Sequence, residues 1–198
     1  MRPRHGSVAI VYDPRRGATG EVARPTELSN VYTTLFRRNI AADSLHLDAI
    51  SPDAVNRYKA IFVGSMSTLP APVELTLKRF AQAGGFLVSD AATFSEERLM
   101  DAIATARIAP EARIEGATGR VETRFLESSE VAMIVAINHA DTPERVTMTF
   151  APDVQEAIWQ NMETGAAVNF IAGPDGPRYT YNFGPRDAFV LMIRKTIR

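Results

Sequence analysis

The chain has 198 residues, with 22 Lys or Arg against 23 Asp or Glu, a formal net charge of -1 and no cysteine. So even a balance offers no basic footprint for nucleic acid, and the missing cysteines exclude disulfides, thiolate metal sites and a thiol nucleophile together. The length admits one large domain or two small ones.

The first half alternates apolar runs with helical stripes. Ser7 to Tyr12 (SVAIVY) reads as a buried strand ended by Asp13-Pro14, and Arg15 to Pro25 as a polar loop. Thr26 then caps a helix whose face is Leu28, Val31, Tyr32, Leu35 and Phe36, with Asn39 as its end. Asp43 to Leu47 is a short strand, and Ser51-Pro52 a helix start with a capping hydroxyl and a proline in the first turn. The central stretch runs from Tyr58 to Phe94. Ala60-Ile61-Phe62-Val63 is apolar throughout, as a parallel strand covered on both faces must be. Pro70 and Pro72 open a helix with the stripe Val73, Leu77 and Phe80, while Glu74 and Lys78 stand one turn apart on its surface. Gly84-Gly85 closes that helix in left-handed geometry, and Phe86-Leu87-Val88 is the next strand. Ser95 with Glu96 and Glu97 starts a last helix carrying Leu99, Met100, Ile103 and Ala104. The alternation predicts a flavodoxin-like open parallel α/β sheet of about four strands over residues 1–106.

Residues 107–120 (RIAPEARIEGATGR) show no sustained period and read as a linker or an irregular return segment. Beyond them the period becomes 2. Val146, Met148 and Phe150 alternate with Arg145, Thr147 and Thr149, and Tyr179, Tyr181 and Phe183 with Arg178, Thr180 and Asn182. Turn signals at Glu127–Glu130, Ala140–Pro143, Glu163–Gly165 and Gly173–Gly176 separate about six or seven strands. This predicts a small antiparallel β-sandwich over residues 121–198.

Two resemblances follow these residues. The arrangement RYKAIFV…RFAQAGGFLVSDA, within roughly Val8 to Phe94, resembles the β-galactosidase trimerisation domain, which follows the catalytic barrel in family 42 glycoside hydrolases and has a fold related to class I glutamine amidotransferases. RFLESSEVAMIVAINHADTPERVTMTF…NMETGAAV…FGPRDAFVLMI is similar to the small C-terminal β-sandwich of many glycoside hydrolases. In family 42 enzymes the two modules follow the barrel in this order. The resemblance implies a homo-oligomer, a trimer, or a catalytic barrel as partner.

The chemistry of the residues themselves is sparse. The family's two catalytic glutamates lie on a barrel, and eight βα units need about 250 residues, more than this chain holds. Glu96-Glu97 cannot substitute, because adjacent helical residues do not face each other. The amidotransferase relatives use a cysteine, absent here. Ser65 follows a strand, but Val63-Gly64-Ser65-Met66-Ser67 is not a G-x-S-x-G elbow. Gly17-x-x-Gly20 matches neither phosphate-binding fingerprint, so no nucleotide cofactor is expected. His5, His46 and His139 lack ligand-spaced partners, so no metal is expected.

Ligands of open α/β sheets sit beyond the carboxyl ends of the strands, which makes Tyr12, Asp13, Ser65 and Asp90 the candidates for a ligand crevice. Trp159, Tyr179 and Tyr181 are the candidate sugar contacts, with core packing the competing expectation for Trp159. No apolar run approaches the ~20 residues of a membrane span, and MRPRHGSVAIVYDP lacks the apolar region of a signal peptide, so the cytoplasm is the expected compartment. The sequence therefore reads as a non-catalytic accessory or oligomerisation region of a β-galactosidase-like hydrolase. The alternative is a stand-alone carbohydrate-binding module.

Overall fold

The apolar runs of the first half become parallel strands because each is covered on both faces. A computed structural model describes residues 2–3, 6–12, 26–117, 121–151, 154 and 158–194. The chain divides into two units, His5–Phe36 with Ile40–Ala109, and Met1–Arg4 with Arg37–Asn39 and Pro110–Arg198. Strand β1 (Arg2–Pro3) belongs to the latter.

The α/β unit comprises β2 (Val8–Tyr12), α1 (Thr26–Arg37), β3 (Ala42–His46), α2 (Pro52–Val55), β4 (Ala60–Phe62), α3 (Ala71–Gln82), β5 (Phe86–Val88) and α4 (Glu96–Thr105). All four strands are parallel in the order β3-β2-β4-β5, with Ile10, Phe62 and Val88 in register across the centre. Side chains alternate between two cores. Val8, Ile10, Ala60 and Phe62 join Val31, Leu35, Leu99 and Ile103 from α1 and α4. Ala9, Val11, Ile61 and Val63 join Val55, Leu77 and Phe80 from α2 and α3. Helices on both faces and a strand order that reverses beside β2 make this the doubly wound, flavodoxin-like arrangement.

Local chemistry sets the helix limits. Ser51 Oγ accepts from Ala54 N–H at 3.2 Å and Ser95 Oγ from Arg98 N–H at 3.2 Å, each capping orphan donors of a first turn. Lys78 Nζ lies 2.6 Å from Glu74 Oε1 on the surface of α3. Helices α3 and α4 end alike. Gly85 N–H donates to Phe80 O and Gly84 N–H to Ala81 O; Ile108 N–H donates to Ile103 O and Arg107 N–H to Ala104 O. Both are the two-bond closure that places one residue in left-handed geometry, here Gly84 at φ 96° and Arg107 at φ 51°.

The other unit is antiparallel. It contains β6 (Ala112–Glu115), β7 (Val121–Glu127), β8 (Val131–Asn138), β9 (Glu144–Phe150), β10 (Trp159–Asn161), β11 (Ala167–Val168), β12 (Arg178–Phe183) and β13 (Ala188–Arg194). A six-stranded sheet, β1-β7-β8-β13-β10-β11, and a three-stranded sheet, β12-β9-β6, share one core that includes Phe125, Ile134, Met148, Phe150, Phe183, Phe189 and Leu191. This is the expected sandwich.

Two stretches differ from expectation. Residues 107–120, read as a linker or irregular return, hold the regular strand β6, paired with β9 from Ala112↔Phe150 to Glu115↔Thr147. Ala112 and Ile114 supply its core-facing positions, too few for a period to stand out. Residues 2–3 fall within the stretch expected for the α/β domain, yet Arg2 pairs with Glu127 and Pro3 with Leu126 of the sandwich.

The Asn138-His139 turn has a clear cause. Asn138 is fully buried; its Nδ2 donates to Thr142 O at 2.9 Å and Gly184 O at 2.8 Å, and its Oδ1 accepts from Ala140 N–H at 2.9 Å. One amide thus satisfies backbone groups of two neighbouring turns.

Candidate functional site

The carboxyl edge of the parallel sheet lies where the strand order reverses, between β2 and β4. Tyr12 ends β2 and is 50% exposed, its ring edge-on to His46 with centroids 6.1 Å apart. The parallel register Tyr12↔His46 creates this contact. His46 Nδ1 accepts from Asp48 N–H at 3.1 Å and so caps the short turn Leu47–Ala49. Asp13 lies outside the described residues. Ser65 begins the turn Met66–Thr68, and Asp90 begins the turn Ala91–Thr93 in left-handed geometry, φ 56°. The Asp90 carbonyl accepts from Thr93 N–H at 3.0 Å and Thr93 Oγ1 at 2.9 Å. Ala91 N–H donates to Val63 O at 3.0 Å, which brings the loops after β4 and β5 side by side.

Chemically this edge is modest. Ser65 Oγ sits 3.0 Å from Ser67 Oγ. Glu96 and Glu97 lie in the exposed first turn of α4. Among the described residues no three His, Asp or Glu side chains cluster as metal ligands, and no helix is long and apolar enough to cross a membrane.

Of the aromatic candidates, Trp159 lies in the sandwich core, with Tyr179 and Tyr181 packed against it. Trp159 is only 3% exposed, edge-on to Phe125 and Phe170, and its Nε1–H has no partner among the described residues. It offers no open ring face. Tyr179 and Tyr181 are half-buried on the inner face of β12, against Phe170, Phe183 and Phe189. Burial raises both phenol pKa values above 10.0. Tyr58, in the α/β core, is raised first by burial and then by its hydrogen bond to Asp43 at 3.0 Å.

Each tyrosine is neutral when protonated, so a raised native pKa stabilises the fold below the unfolded value near 10 and that contribution is lost as pH climbs through the native value. The expected result is a phenolate absorbance titration in which these three rings ionise late, with stability falling above about pH 10. Ionisation of all tyrosines at the free value, with the fold intact, would contradict these placements.

Among the buried carboxylates, Glu122 joins a charged cluster that no sequence pattern signals. Glu122, 8% exposed, places Oε2 2.9 Å from His139 Nε2 and Oε1 3.2 Å from Arg124 Nε. The trio is spread over β7 and the turn after β8, so only strand pairing reveals it.

A doubly wound α/β unit followed by a small antiparallel sandwich is the combination that known structures share with this chain. No protein-family model matches the sequence, and no curated protein matches it. Among solved structures, the β-galactosidase from Bacillus circulans sp. alkalophilus superposes with a TM-score of 0.69 at 11% identity, over 98% of this chain and 42% of that one. A catalytic mutant of Gan42B, a GH42 β-galactosidase from G. stearothermophilus, gives 0.67 at 12% identity, over 98% and 41%. A rhamnosidase from Novosphingobium sp. PP1Y gives 0.60 at 14% identity, over 97% and 23%. The fold of this chain is thus that of one region of GH42 β-galactosidases, and the chain spans about two fifths of their length.

Proposed function

We propose that this chain is a non-catalytic accessory region of a β-galactosidase-like glycoside hydrolase. In this reading the α/β unit, akin to the trimerisation domain and its amidotransferase-like fold, associates with copies of itself. A catalytic barrel is supplied elsewhere, and the chain works in the cytoplasm. The observation that carries the reading is the match of nearly the whole chain, both units in order, to about two fifths of each β-galactosidase. The rhamnosidase match supports a structural role, since one fold then accompanies different sugar specificities. The enclosure of the lone tryptophan agrees with this reading.

Sedimentation equilibrium over a wide concentration range tests the reading. A trimer is the expected result. A monomer at every concentration that also fails to bind a GH42 barrel would overturn it, as would hydrolysis of a galactoside by the isolated chain.

A further inference from the structure

At the amino edge of the parallel sheet, opposite the candidate crevice, the α/β unit has an open cleft of about 430 Å³. The residues that close α3 and α4 (Ala83–Gly85 and Thr105–Arg107) form its sides, and Lys59 and Phe86, at the entries to β4 and β5, line it between them. Its lining includes two cations, Lys59 and Arg107, and no carboxylate. Neither cation is ion-paired among the described residues, and the Asn56 carboxamide beside them is likewise exposed.

Two further observations bear on what this cleft takes. The first is charge. Each helix C-terminus contributes about half a negative charge, so two full positive charges leave roughly one positive charge over, enough for a monoanion. The second is backbone. Helices α3 and α4 close with the same hydrogen bonds, but the left-handed position is Gly84 in one and Arg107 in the other. A left-handed conformation is strained for any residue with a Cβ and is normally filled by glycine or asparagine. An arginine held there against local preference, with its side chain lining a cleft, is the kind of outlier from which function is fairly inferred.

We propose that this amino-edge cleft binds a small organic monocarboxylate with a planar apolar body. Lys59 and Arg107 engage the carboxylate through charge-assisted hydrogen bonds, and the body rests against the Phe86 ring and the glycine backbone at residues 84–85. Gly85 is held to glycine by packing, since the Phe80 ring lies 2.2 Å from where its Cβ would stand. The inference does not depend on the accessory role proposed above.

The test is calorimetric titration of the intact chain at low ionic strength with benzoate, its neutral isostere benzamide, and inorganic phosphate. Benzoate is expected to bind, and benzamide at least about tenfold more weakly. Arg107→Gly and Lys59→Gln should each weaken benzoate about tenfold. Arg107→Gly should melt no lower than the native chain, because glycine suits the closure better. A lost affinity in a protein that is no less stable cannot be blamed on misfolding. The proposal is overturned by no benzoate binding, by equal binding of benzamide, by affinity that survives both substitutions, or by binding of phosphate alone.

Discussion

Phe189→Ala is expected to destabilise the sandwich by about 3–5 kcal/mol, the usual range for deleting a buried phenylalanine. Phe189 is 2% exposed on β13 and contacts three other aromatic rings. It lies stacked on Phe183 at 5.4 Å, with Tyr181 at 4.6 Å and Tyr179 at 5.7 Å. Truncation opens a space bordered by rings on an inner sheet face, where rigid paired backbones limit collapse, so the cavity cost adds to the lost burial. The reporter is already in place. Trp159 lies on β10, next to β13, within the same core, and its fluorescence follows the unfolding of this unit in urea. A loss below about 1 kcal/mol would mean that Phe189 is not in a packed core.

Phe62→Ala should have a similar effect, about 3–5 kcal/mol, on the α/β unit. Phe62 is fully buried in β4, with Ile10 and Val88 beside it in register and Val31, Leu35, Leu99 and Ile103 in the core it joins. It connects the sheet to both helices on that face, so its loss weakens strand pairing and helix docking together. The four α-helices of the described residues all begin in this unit, which makes far-UV circular dichroism at the helical band the matching measurement. An unchanged urea midpoint would contradict the two-faced burial of β4.

These two residues were legible in the sequence for different reasons. Phe62 sits in an unbroken apolar run and Phe189 in a late strand of the sandwich, both local patterns. Helix ends were legible too, because Ser51, Ser95 and Gly84 act on atoms only a few residues away. Strand β6 and the pairing of residues 2–3 were not, because their partners are distant in sequence and a four-residue strand carries only two core-facing side chains. The candidate crevice rests on the general geometry of open sheets; Tyr12 ends β2, and Ser65 and Asp90 stand in the turns after β4 and β5. The enclosure of Trp159 depends on Phe125 and Phe170 from two other parts of the chain. Arg107 gave no signal at all: nothing in RIAPEAR shows that the arginine sits where glycine usually does.

The six-stranded sheet is bordered on both sides by two-residue strands, Arg2–Pro3 and Ala167–Val168. Proline has no N–H to offer a newcomer, and such short borders give a foreign strand almost nothing to zip along. The three-stranded sheet is different: its border β12 is six residues long, and among the described residues only Arg178 at its start is bridged, to Ile171. If this protein ever misassembles into fibrils, growth should begin from Tyr179–Phe183, and a lysine or proline introduced at outward-facing Thr180 would act as a gatekeeper there.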